Sequence, residues 1–280
     1  MAEMVTILVG AAVLLALGLA HFRRLSPFPA WHPSVSALFE IGLLFLPAIP
    51  AYLWVWPRLS EQGNSLFQVL TYLYVLAGTS LIGLRRWSWA DLGLNRKGLG
   101  LATVCGTAIL LGRLLILRSI DWGGRPALLT WAGVLGDLLF YFGLVGLVEE
   151  LLFRGLVYRL LDDWRGAAWA IWGSSLGFGL WHVFGQGPLA GLATAAVGLL
   201  FALIRWRAGG IVGLIVLHGL WDLEVVWLVP ASNAELLAPG AVQFTSLAGI
   251  WAGVLLLFLV PAVILLGPWL IKGRRWQLHG

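Results

Sequence analysis

Ten ionisable residues stand inside apolar stretches of this chain: Glu40, Arg113, Asp137, Glu149, Glu150, Arg154, His182, His218, Asp222 and Glu224. Each needs a partner, water or a function, because a charge in hydrocarbon is costly. Seven of the ten fall between Glu149 and Glu224, on three apolar runs. In Glu149-Glu150-Leu151-Leu152-Phe153-Arg154, Glu150 and Arg154 lie four apart on one helical face, acid before base, the favourable order for an intrahelical pair. Glu149 points about 100° away around the same helix, without a local counter-charge, and is the candidate general base. In Phe178-Gly179-Leu180-Trp181-His182, the same spacing lets the Phe178 ring lie beneath the imidazole. In His218-Gly219-Leu220-Trp221-Asp222, it puts imidazole and carboxylate on one face, where Asp222 can orient the ring and set its tautomer. Glu224 lies about 200° from Asp222 and falls outside the group. The bland readings are a solvated ion network for the glutamates, a hydrogen-bonded structural His182, and a structural Asp137–Arg113 pair. Each pattern alone occurs by chance on many helices. Their order and their confinement to three successive apolar runs argue for one site in a bundle interior.

The elements that must position these residues are apolar. The chain has 280 residues, 60% of them hydrophobic, with 18 Lys or Arg and 13 Asp or Glu. A water-soluble domain of this size could not hide so much apolar surface. Apolar runs lie at 4–22, 35–56, 65–84, 98–117, 128–160, 167–186, 189–205, 209–229 and 245–271, candidates for membrane crossings, the fifth long enough for one span plus an extension. The expected fold is an all-α, polytopic transmembrane helical bundle of about nine helices, with eight as the alternative. In the fifth run the span is placed at Leu138–Leu160. Loops after the odd-numbered runs hold thirteen basic residues against three (Arg58, Arg118 and Arg125) in the opposite loops. The positive-inside rule then puts the N-terminus outside and the C-terminus in the cytoplasm. Met1 to Met4 lacks a basic n-region, so the first helix is expected to be retained. The tryptophans near the run ends suit membrane interfaces. The formal net charge of +5 is explained by headgroups and topology, not by nucleic acid. Cys105, the single cysteine, reads as a small core residue. The polar stretch Arg85–Lys97 is an amphipathic connection. It divides the chain into 1–97, transmembrane helices of unassigned role; 98–229, a catalytic core with its motifs at 149–222; and 230–280, a last helix with a basic cytoplasmic tail.

The three patterns together resemble the EExxxR, FxxxH and HxxxN/D signature of the CAAX protease and bacteriocin-processing (Abi, CPBP) family, over roughly 135–225. The third carries Asp222 where the family's prenyl-protein endopeptidases usually carry Asn. The resemblance implies an intramembrane endopeptidase of a bacterial cytoplasmic membrane, acting on a membrane protein or lipidated protein near its C-terminus. Glu149 would activate water, and His182 and His218 would bind water or stabilise the oxyanion. Asp222 completes the catalytic set, and Glu150, Arg154 and Phe178 support it. The residues agree, because peptide hydrolysis needs a base, a partner for developing negative charge and exclusion of bulk solvent. No serine or cysteine stands within a motif, which disfavours an acyl-enzyme. A mechanism without cofactor is favoured; zinc, held by His182, His218 and Glu149 or Asp222, is the other route. Two readings compete. One is a catalytically silent membrane-binding or immunity protein of the same fold. The other is a proton-coupled transporter with Glu40, Asp137, Glu149 and the histidines as a relay, which calls for an internal symmetry the sequence lacks.

Overall fold

The computed structural model of the chain describes residues 33–45, 55, 58–107, 131–186 and 188–228. Among the described residues there are seven helices and no strand. We label them α1 (Pro33–Phe45), α2 (Glu61–Leu84), α3 (99–107), α4 (131–165), α5 (Ala167–Gln186), α6 (Pro188–Ala208) and α7 (Val212–Leu228). The first and ninth apolar runs, Arg113 and the side chain of Glu224 lie outside the described residues, so the count of nine is neither met nor refuted. Among the described residues two helices are long and apolar enough to cross a membrane, Gly63–Leu84 and Gly191–Ala208.

Local chemistry sets several boundaries. Ser60 caps α2, its hydroxyl accepting from the Gly63 N–H at 3.2 Å, which satisfies one of the orphan donors of the first turn. Gly166 ends α4 with φ of 85°, a conformation open to glycine, and α5 starts at the next residue. α5 and α6 form a close antiparallel pair because small residues face each other. A Cβ on Gly179 would press on the Gly191 carbonyl oxygen and on Ala195, so the backbones approach as in small-residue membrane interfaces.

The winding of α4 is not uniform. It is α-helical over Trp131–Leu138, π-helical over Leu139–Gly146, α-helical over Leu147–Glu150, π-helical over Leu151–Val157 and α-helical again over Tyr158–Arg165. The capping residues between these segments all keep right-handed helical dihedrals, so this is one continuous helix. The expected span at Leu138–Leu160 is therefore the middle of a longer element. π-Helical turns recur at functional sites, and here they flank the two glutamates.

The stretch 85–98 packs against the bundle. Leu92 is fully buried. The Ile211 N–H donates to the Gly93 carbonyl at 2.7 Å, and the Asn95 amide donates to the Gly209 carbonyl at 3.2 Å. Arg205 reaches the carbonyls of Arg154 at 3.1 Å and Asp91 at 3.4 Å, tying this stretch to α4 and α6. The Ser88 hydroxyl and N–H both donate to Asp91 Oδ2 and hold that exposed carboxyl below the usual carboxylate range. Glu40, buried on α1, pairs with Arg86 at 2.9 Å and Arg85 at 3.7 Å. Its charge is met by arginines at the end of α2. One large apolar cluster gathers Ala37, Leu44, Val75, Ile82, Leu92, Val148, Leu156, Phe178, Phe201 and Leu217 from the helices around α4.

Candidate active site

Glu149 and Glu150 occupy the single α-helical turn between the two π-helical segments, 2% and 0% exposed. Glu150 Oε1 accepts from Arg154 Nη1 at 2.9 Å and lies 2.8 Å from His218 Nδ1. The Arg154 guanidinium is fully buried, 4.2 Å from the centroid of the Phe178 ring and 5.3 Å from that of Phe201. Two aromatic faces and one carboxylate thus replace the water this cation has lost.

The Glu150–His218 contact adds a partner that helix spacing could not name. The i, i+4 spacing put Asp222 on the face of His218, and Asp222 Oδ2 lies 3.6 Å from Nε2. Nδ1 meets Glu150 across the helix interface at 2.8 Å. A short bond to a fully buried carboxylate outweighs a longer contact with one whose side chain is 22% exposed. With its Nδ1–H donated to Glu150, the ring presents Nε2 to Glu149 and Asp222.

Glu149 is held from the other side. Its Oε1 accepts from the Tyr72 hydroxyl at 2.6 Å and from Trp181 Nε1 at 3.0 Å. Its Oε2 is buried with no hydrogen-bond partner, 3.8 Å from His182 Nε2 and 3.6 Å from His218 Nε2. His182 Nδ1 lies 2.9 Å from the Phe178 carbonyl oxygen, which can only accept, so Nδ1 carries the proton and Nε2 turns inward. Both histidines therefore aim Nε2 at the same carboxylate oxygen. Phe178 supports both rings, with centroids 4.6 Å from His182 and 5.8 Å from His218. The adjacent glutamates do diverge around the helix, and they meet opposite nitrogens of one imidazole.

Tyr72 and Trp181 escaped the sequence reading. Trp181 sits inside the second motif, and Tyr72 inside the third apolar run. The available signal was general: a buried phenol or indole needs an acceptor, and an intramembrane carboxylate is one. The distances of 3.6 to 3.8 Å from Glu149 Oε2 to the two Nε2 atoms exceed hydrogen-bonding range and leave these as electrostatic contacts. Among the described residues no group of three or more His, Cys, Asp or Glu has the geometry to hold a metal ion.

In this helical bundle one carboxylate oxygen of Glu149 and the Nε2 atoms of two imidazoles converge on one buried point. Residues 131–223, from the start of α4 into α7 and across all three motifs, match the family model described as type II CAAX prenyl endopeptidase Rce1-like. This is the family that the motifs resemble, and the match covers about a third of the chain. At that level it supports a membrane-embedded, CAAX-type endopeptidase. No curated protein and no solved structure matches the chain.

Proposed function

We propose that the protein is an intramembrane endopeptidase that hydrolyses a peptide bond near the membrane-embedded or lipidated C-terminus of a protein substrate. The observation that carries this reading is the buried, unpartnered Oε2 of Glu149, aimed between the Nε2 atoms of His182 and His218. A water there donates one proton to Glu149 Oε2 and is steered by the imidazoles. Glu149 takes that proton as the water oxygen attacks the scissile carbonyl, and returns it to the leaving amine. The negative charge developing on the carbonyl oxygen needs N–H donors. His218 can supply one from Nε2 in its imidazolium form, which Glu150 stabilises across the ring at Nδ1. The segment 98–229 carries the three motifs, with 1–97 and 230–280 flanking it in sequence.

The experiment that tests the reading is incubation of the purified full chain, in detergent or liposomes, with prenylated and unprenylated C-terminal peptides. Cleavage supports it, and no cleavage of any peptide counts against it. Repeating a positive reaction after chelation separates the two routes. Activity that survives supports the metal-free carboxylate mechanism, and activity lost and then restored by Zn²⁺ moves the assignment to the zinc route.

Asp222 gives a finer prediction. Its Oδ2 lies 3.6 Å from His218 Nε2, where an amide oxygen can present the same polar face to the ring. Asp222→Asn should keep turnover within about threefold, and Asp222→Leu should lower it by about tenfold or more, as expected for loss of one polar contact to a charged group. Equal loss in both, measured on one cleaved peptide, would point to a requirement for charge.

We further propose the orientation that loop charge implies, in a bacterial cytoplasmic membrane. A cysteine introduced near Gln186 should label from outside, and labelling only from the cytoplasmic side would reverse the topology.

A further inference from the structure

Tyr72 lies outside the matched segment, on α2, in the part of the chain to which sequence assigned no role. Its hydroxyl is 2.6 Å from Glu149 Oε1, across 77 positions of sequence. That length belongs to a charge-assisted O–H···O⁻ bond, roughly twice as strong as a neutral one. A carboxylate held by one donor can still swing. Here Tyr72 from α2 and Trp181 from α5 hold the same oxygen from two helices, so the other oxygen is the one left facing the histidines.

We propose that Tyr72 is a positioning residue of the site, fixing Glu149 through Oε1 so that Oε2 meets the water between His182 and His218, and thereby making α2 part of the catalytic unit. The proposal rests on the reading of Glu149 as the base. The Tyr72 ring also packs edge-on against Phe140 at 6.3 Å and Trp181 at 6.4 Å. Tyr72→Phe keeps those contacts and removes only the hydroxyl. Tyr74 provides the control: it lies on the same helix, but its hydroxyl donates to the Leu44 carbonyl at 3.1 Å, so Tyr74→Phe removes a hydrogen bond without touching Glu149.

The test is steady-state cleavage of one verified peptide by the full chain in detergent. Tyr72→Phe should lower kcat by about tenfold with KM changed less than about twofold, because a contact to the base acts on the reaction and not on substrate binding. Tyr74→Phe should retain parental kcat. On a Glu149→Gln background, Tyr72→Phe should cause no further loss, since the two residues act as one unit. A Tyr72→Phe enzyme with parental kcat beside an inactive Glu149→Gln would sink this proposal alone. So would losses that multiply in the double variant, or an equal loss from Tyr74→Phe. Normal cleavage by Glu149→Gln would remove the base assignment itself, and Tyr72 with it.

Discussion

Glu149→Gln should lower turnover of a cleaved peptide by at least ~10²-fold while the protein stays folded. The geometry says why both halves of that result belong together. Tyr72 and Trp181 are donors, and both point at Oε1, so the glutamine must place its carbonyl oxygen there. Its NH₂ group then stands where Oε2 stood, facing the two Nε2 atoms at 3.6 and 3.8 Å. An amide donates hydrogen bonds to imidazole nitrogens and cannot take a proton from water. The buried contacts are kept and the base is gone. Thermal unfolding in the same detergent should move little, and the activity loss should fall in kcat. Near-normal cleavage by this variant would transfer the role of base to Glu150 or to a metal-bound water.

What could be read from the sequence and what could not divide along contact range. α5 coincides with the sixth apolar run, and α6 and α7 differ from the seventh and eighth by a few residues, because apolar length and the flanking Gly and Arg residues are local signals. The Glu150–Arg154 pair at 2.9 Å is local in the same sense. The winding of α4 left no such trace: Leu, Val and Phe fit α and π turns equally, and only packing decides between them. A helical wheel at a fixed 100° per residue loses phase across Leu139–Gly146. The contacts that define the site are long-range: Tyr72 to Glu149, Trp181 to Glu149, and Glu150 to His218. Spacing names partners on one helix, which is why it offered Asp222 to His218 and had no way to offer Glu150. Glu40 followed the same rule, as its partners Arg85 and Arg86 come from the end of another helix.

Glu150→Gln should cost both stability and activity, and a second substitution should separate the two. Glu150 Oε1 is the meeting point of Arg154 Nη1 and His218 Nδ1. Removing the charge leaves a fully buried guanidinium with an amide and two aromatic faces. Stranding one member of a buried pair costs about 3–5 kcal/mol, so the melting temperature should fall clearly below the parent's. Replacing Arg154 with Met in the same chain removes the stranded cation and keeps an apolar side chain against Phe178 and Phe201. Stability should then recover in large part, since losing both charges is cheaper than keeping one. Turnover should not recover. His218 still lacks the carboxylate at Nδ1, so its imidazolium form is less well supported at the moment the oxyanion develops, and kcat should remain at least ~10-fold down. Unfolding temperature and kcat, measured on the parent, Glu150→Gln and Glu150→Gln/Arg154→Met, therefore give two different orderings. If activity returned together with stability in the double variant, Glu150 would be a structural counter-charge for Arg154 and nothing more. The 2.8 Å contact with His218 would then carry no part of the chemistry.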